Sequence, residues 1–325
     1  MKIRFWGVQG SIPNPLSSEQ LQLKIKEILR RTRGQQLDTE EQRQTFLESL
    51  PLHLTHTTGG NTTCFEVLSE RGDRLIIDMG SGARRLGLNL LQEDRVKAGT
   101  AEIFVLLTHL HWDHILGFPF FLPAYIETNS VHFYGGHDYM AEALVRQTHP
   151  QSFPVPLTDM GCTHSFQKLE EGKEYDINGF VVSCKRLQHP NFSYAYRIAD
   201  DDRTLVIATD GEYKELDADY LWPFVEFYRD ADLLVFDAQY TLKDVFQKVD
   251  WGHSSSFIGV DLCLMANVPR LALTHHDPSY TDSQMLNILQ NTAEFKSQAL
   301  EQHRDSFRHN DLEVIMAYEG LELPV

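Results

Sequence analysis

Short apolar runs recur along the chain, each closed by a polar residue or a turn, and longer stretches with apolar residues three and four apart lie between them. The short runs read as strands over 2–6, 63–68, 74–78, 103–107, 131–134, 180–186, 194–198, 204–208, 233–236, 271–273 and 312–318. Many are rich in Val, Ile, Phe and Tyr, which suit a pleated, half-buried surface. The longer stretches read as helices over 83–92, 139–147, 218–228, 254–266 and 282–304. The last opens with Thr281 and, three residues on, Gln284, a capping-box pair. Strands precede and follow helices in both halves with no evident linker, so one α/β layered domain over 1–325 is expected.

One segment breaks this grammar. Between the turn at 7–11 and TTGGNTTC lies a polar, helix-favouring insertion at about 15–56. Ser17 with Gln20 forms one capping box, Leu21, Ile25, Ile28 and Leu29 form an apolar stripe, and Gly34 supplies a stop. Thr39 with Gln42 starts a second helix carrying Phe46, Leu47 and Leu50, which together predict a helical hairpin. Lys24, Lys26, Arg30, Arg31 and Arg33 on the first helix read as a solvated face, or as an arm facing substrate or a second copy of the chain.

Composition narrows the class. At 325 residues, 42% hydrophobic and 23% charged, the chain has the make-up of a soluble globular protein. It contains no apolar run long enough to span a bilayer. MKIRFWGVQGSIP lacks the apolar stretch of a signal peptide and reads as strand and turn, so a cytoplasmic location is expected. Cys64, Cys162, Cys184 and Cys263 are scattered without a CxxC pair, as reduced core thiols would be. The net charge of −17 argues against broad attraction to nucleic acid, which needs clustered Lys and Arg. It leaves an anionic substrate open, because a bound dication dominates its local field.

The chemistry concentrates in LLTHLHWDHILGFPFF, where His109, His111, Asp113 and His114 fall within six positions. The apolar run 104–107 ends the strand by Thr108, after which the backbone can turn and bring the four side chains to one point. Imidazole nitrogen with carboxylate oxygen suits Zn²⁺, and also Mn²⁺ or Fe. Other candidates close other apolar runs: His189 after VVSCKRLQ, Asp210 after TLVIAT, and His275 and His276 after RLALT. Strand followed by ligand, repeated, is how a site is assembled on one rim of a sheet layer.

HLHWDH, followed in order by His189, Asp210 and His275, resembles the metallo-β-lactamase superfamily and its HxHxDH motif. FWGVQGSIP, GGNTTCFE, HWDHILGFPFF, FDAQY, WGHSS and HHDP are similar to its phosphodiesterase branch, near ribonuclease Z and the phosphonate-pathway cyclic phosphodiesterase. The resemblance implies an αββα sandwich with two divalent metals at one edge, Zn²⁺ the first choice. Carried over by position, His109, His111 and His189 would hold one metal, Asp113, His114 and His275 the other, and Asp210 would bridge them. His276 is the alternative to His275. Asp78 in DMGSGARRLG would brace the histidine loop. His111, where redox members carry Glu, favours a hydrolase. A homodimer is the family-based expectation.

Two metals would activate a shared water and clamp the attacking and leaving oxygens, so that a metal-held hydroxide attacks phosphorus. His253 in WGHSS would be the general acid and Asp237 in FDAQY would orient it, so that His253, Asp113 and Asp237 form the expected catalytic group. The 7–11 turn could offer backbone N–H groups to a phosphate, although Gln9 stands where related chains carry Arg. Phe192, Tyr194, Tyr196 and Arg197 could stack on a base or hold a phosphate, or simply form a half-buried strand. The expected substrate is a small phosphodiester, a cyclic nucleotide or cyclic sugar phosphate. The rivals are an RNA-processing endonuclease like ribonuclease Z and a non-catalytic metal-binding sensor; a lactonase or β-lactamase would share the ligands but gives no reason for WGHSS.

Overall fold

In the first strand, β1 (Lys2–Gly7), alternation sends Ile3 and Phe5 into the interior while Lys2 and Arg4 reach outward to Glu322. A computed structural model describes residues 1–302 and 311–325. The next strands are β2 (Cys64–Leu68), β3 (Arg74–Ile77), β4 (Glu102–Leu107), β5 (Ser130–Gly135), β6 (Thr163–Lys168) and β7 (Glu174–Ile177). They are followed by β8 (Phe180–Leu187), β9 (Ser193–Asp200), β10 (Arg203–Ala208), β11 (Leu233–Asp237), β12 (Arg270–Thr274), β13 (Glu313–Met316) and β14 (Glu322–Pro324). Among the described residues these form two seven-stranded sheets, ordered β14-β1-β2-β3-β4-β5-β6 and β13-β12-β11-β10-β9-β8-β7. Strands β3 to β6 run parallel, as do β10 to β13. Parallel strands are covered on both faces, which is why β11 (LLVFD) is buried throughout.

The inner faces meet in a core that includes Phe5, Phe65, Ile77, Val182, Tyr196, Ile207 and Val235. Helices Gly82–Leu90 and Met140–Gln147 cover the first sheet, and Ala218–Tyr228, Ser256–Ala266 and Asp282–Gln302 cover the second. This is the αββα metallo-β-lactamase sandwich.

Three strands went unanticipated, β6, β7 and β14, and all are sheet edges. An edge strand faces a neighbour on one side only, so THSFQK can stay largely polar and ELP can carry a proline. The helix expected from 254 starts at Ser256, and the strand expected at 312–318 shortens to Glu313–Met316. The last helix starts at Asp282 as its spacing predicts, while its expected end at 304 lies outside the described residues.

The insertion forms helices Ser18–Arg31 and Glu40–Ser49, both closed by the expected capping boxes, plus a single turn at Leu52–Thr55. Most of its apolar stripe is left uncovered: Leu21, Ile25 and Leu29 are exposed, and Ile28 is half-buried. What ties the first helix down is Lys24, paired with Asp282 and donating to the His56 carbonyl at 2.5 Å. Arg30 and Arg31 are taken up by Glu27 on the same helix, so those charges neutralise one another locally.

Candidate metal centre

The site begins with the backbone where the parallel strands end. Asp78 and His275 directly follow β3 and β12, and Asp210 lies two residues past β10; all three have φ 59°. The left-handed region is unusual for residues other than glycine, and here it turns each side chain over the rim of the sheets. Beyond β4, the single turn Trp112–Ile115 returns Asp113 and His114 towards the same rim.

Two groups result. His109, His111 and His189 each offer a ligand atom within 4.8 Å of the others, and so do Asp113, His114, Asp210 and His275. Asp210 lies between them. Its carboxylate is 3.2 Å from His114 Nε2 and 3.1 Å from His275 Nε2 on one side, and 3.9 Å from His109 Nε2 and His189 Nε2 on the other.

Hydrogen bonds fix which nitrogen faces inward in four of the rings. His114 Nδ1–H donates to Asp78 at 2.7 Å, His189 Nδ1–H to the Gly252 carbonyl at 2.9 Å, and His275 Nδ1–H to Gln239 Oε1 at 2.9 Å. Thr108 Oγ1–H donates to Asp78 at 2.7 Å, so its oxygen accepts from His109 Nδ1 at 3.2 Å. Every one of these rings therefore turns its Nε2 into the cluster, the usual orientation of ligating imidazoles.

The inward atoms suit a divalent cation. His109 Nε2 and Asp210 Oδ2 are buried without a hydrogen-bond partner, and buried polar atoms are seldom left so. His114 Nε2 sits 3.2 Å from His275 Nε2, and His189 Nε2 3.0 Å from His111 Nδ1, so the ring nitrogens of each group converge. Charge points the same way. Burial drives His109 well below the usual imidazole value and His189 down to about 4. Burial also opposes the charged form of His275, yet Asp210, Asp113 and Asp237 outweigh it and hold the ring at about 9. Burial alone would raise Asp113 and Asp210, but His114 and His275 hold both carboxyls well below the usual range. The two carboxylates of the second group thus attract positive charge, and they raise both His114 and His275 above the usual imidazole value.

His253 stands against this cluster, its ring stacked on His275 with centroids 5.0 Å apart. Its Nδ1 is 2.8 Å from Asp237 Oδ2. Asp237 is fully buried and is held in turn by the Gln239 and Asp210 backbone N–H groups at 2.9 and 3.0 Å. His276 turns away and donates Nε2–H to the Ala317 carbonyl at 2.8 Å.

Other expectations need correction. The 7–11 turn does not present free amides to a ligand: Gln9 and Gly10 N–H bond to Asn61 and His276 carbonyls, and Ser11 N–H donates to Asp113 at 2.7 Å. Gln9 itself donates to the His276 carbonyl at 2.9 Å and so braces the loop. Tyr196 is buried with its hydroxyl on the Leu107 carbonyl, and Arg197 binds the carbonyls of Phe227 and Arg229, so neither reaches the site. Thr108, Gln239 and Gly252 were missed. The first two are visible in hindsight as polar neighbours of strand ends, whereas Gly252 is identified only by its contact with His189.

Residues 73–276 match the model of the beta-lactamase superfamily domain. Ribonuclease Z of Bacillus mycoides is 26% identical over 281 residues, covering 71% of this chain and 87% of that protein. The metallo-β-lactamase fold protein YhfI from Bacillus subtilis superposes with a TM-score of 0.61 at 17% identity, covering 99% of this chain and 98% of that one. The short form of human tRNase Z superposes with a TM-score of 0.58 at 17% identity, covering 100% of this chain and 99% of that one.

Proposed function

The chain belongs to the β-lactamase superfamily, and from that premise we propose that this metal-dependent hydrolase cleaves a small phosphodiester, a cyclic nucleotide or a cyclic sugar phosphate. In this reading His109, His111 and His189 hold one divalent ion, Asp113, His114 and His275 hold the second, and Asp210 is shared. Bound there, the ions would supply a water of lowered pKa and positive charge opposite the non-bridging phosphate oxygens. The N/O donor set suits Zn²⁺ first and accepts Mn or Fe. One domain, a homodimer and a cytoplasmic location complete the proposal.

The observation that carries phosphodiester cleavage is the His253–Asp237 pair at 2.8 Å beside the clustered ligands. Expulsion of an alkoxide needs a proton at the leaving oxygen, a role worth roughly 10²–10⁴ in rate. Donation of Nδ1–H to Asp237 leaves Nε2 of His253 to carry the transferable proton, and the buried carboxylate prevents the ring from turning. A β-lactam or lactone hydrolase has no equal need for this pair. The likeness to ribonuclease Z supports the same bond type, and it also supports a second reading, RNA processing. Net charge argues for the small substrate, and salt separates the two, since binding through many phosphates weakens steeply as salt rises.

The test is a hydrolysis panel on the metal-loaded protein: bis(p-nitrophenyl) phosphate, cyclic mononucleotides, a cyclic ribose phosphate and precursor tRNA. Turnover that chelation abolishes is expected on the first and on one of the cyclic esters. A fully loaded protein that hydrolyses none of them would support the sensor reading instead.

A further inference from the structure

Three large rings close in sequence to members of the site remain exposed. Trp112, between His111 and Asp113, is 82% exposed, Trp251, two residues before His253, is 60% exposed, and Phe192, three residues after His189, is 40% exposed. Each therefore hangs from a loop that also supplies a member of the site. A ring left in water gains none of the free energy of apolar burial, and a set of them on three site loops marks a surface built to be covered.

Two of the rings already carry a cation. Arg186 lies over Phe192, 4.4 Å from the centroid, and Lys248 lies 5.7 Å from Trp251. Lys248 is also 4.1 Å from the Tyr240 ring, which meets His253 edge-on at 5.4 Å. The loops are tied to each other through His189: its Nδ1 donates to the Gly252 carbonyl, and its carbonyl accepts from Phe192 N–H at 2.7 Å. Phe192 and Gly252, the residue after Trp251, thus both bond to one histidine. Asn191 and Phe192, moreover, both have φ 63°. A bulky residue is held in the left-handed region at a cost, and here the outcome is an aromatic ring kept partly in solvent beside the site.

We propose that Trp112, Phe192 and Trp251 form an aromatic rim that stacks on a nucleobase, so that the substrate is a nucleotide-type phosphodiester and not a bare cyclic sugar phosphate. This rests on the phosphodiesterase reading and narrows its substrate class. Every base presents a π face, so stacking recruits a base without demanding one sequence, and it does not depend on the clustered Lys and Arg that a long polyanion would need.

Two ligands that differ only by the base test it: adenosine 5′-monophosphate and ribose 5-phosphate, titrated calorimetrically into the metal-loaded protein. The nucleotide should bind at least tenfold more tightly. Trp112→Leu, Phe192→Leu and Trp251→Leu keep apolar bulk but remove the ring, and each should cut that affinity ratio by about fivefold or more, the range one base stacked on one ring carries. Metal content is measured on the same samples; if Phe192→Leu loses metal through His189, the two tryptophan variants decide. Equal affinity for the two ligands, binding of neither, or a ratio unchanged in the intact variants overturns the rim. Neither ligand is a phosphodiester, so a failure to hydrolyse phosphodiesters would remove the reaction and leave this result standing on its own.

Discussion

Replacing Gly252 by alanine should disable one half of the site while leaving the fold standing. Gly252 has φ 84°, and a Cβ built on it would lie 2.2 Å from His189 Nδ1 and 2.6 Å from Pro190 Cδ. Ordinary contact begins near 3.4 Å, so the imidazole would have to retreat by roughly 1 Å, several times the ~0.2 Å tolerance of a ligand distance. The left-handed backbone adds about 1–2 kcal/mol of conformational cost for alanine. Weakening the bond from His189 Nδ1 to the Gly252 carbonyl should lower affinity at the His109–His111–His189 position by about 10–100-fold.

The assay is metal titration of chelator-stripped protein against a chromophoric competitor, with denaturant unfolding of the stripped protein reporting the backbone cost. Gly34→Ala is the control, because Gly34 has φ 80° but nothing within 4 Å of the added Cβ. It should show the conformational loss and normal metal binding. If Gly252→Ala also takes up both ions with wild-type affinity, the reading of His189 as a ligand braced by that carbonyl is wrong.

His253→Ala should retain both metals by elemental analysis yet lose about 10²–10⁴ in turnover on esters with poor leaving groups, and far less on p-nitrophenyl esters, whose leaving group needs no proton. Asp210→Ala should lose metal outright, because its carboxylate lies within 3.9 Å of members of both groups. His276→Leu should keep both metals and cost about 1–3 kcal/mol in denaturant unfolding, since the buried Ala317 carbonyl loses its donor. At Asp282 burial raises the carboxyl, but Lys24 and Thr58 outweigh it and hold it below its usual value. A lowered folded pKa contributes stability above the unfolded value near 4 and loses it as pH falls through the folded one; Asp282→Asn should therefore flatten the acid limb of a stability-versus-pH curve.

The fold was legible wherever one face of an element is covered. Ile3, Phe5 and the unbroken β4 and β11 runs announce themselves because burial imposes a period of two or a continuous apolar stretch. Edge strands such as β6 carry no such pattern, since half their backbone and most of their side chains meet water. Within the site, four of the clustered residues were legible because they fall within six positions, whereas His275 and His276 could be told apart only by their contacts. The residues that aim them were harder to read. Gln239 and Gly252 act through a side-chain carbonyl and a main-chain carbonyl, and neither group is distinguished by residue type until tertiary contact assigns it. The insertion is the reverse case. Its capping boxes are local and were readable, but which face it would bury is a tertiary matter, and three of the four stripe residues remain exposed.

The orientation of the site is supplied by the fold, before any ion is considered. The acceptors that hold His114, His189 and His275 are a carboxylate after β3, a main-chain carbonyl in the loop before Ser256–Ala266, and an amide oxygen after β11. Each comes from a different segment, so no single loop motion can release all three rings. The left-handed turns at Asp78, Asp210 and His275 add a cost of order 1 kcal/mol apiece, which the surrounding sheets must over-determine. Even so, His109 Nε2 and Asp210 Oδ2 stay buried without hydrogen-bond partners. A site that spends stability to keep lone pairs unsatisfied is organised for a ligand with positive charge, and the same rigidity would hold His253 Nε2 in register with the leaving oxygen.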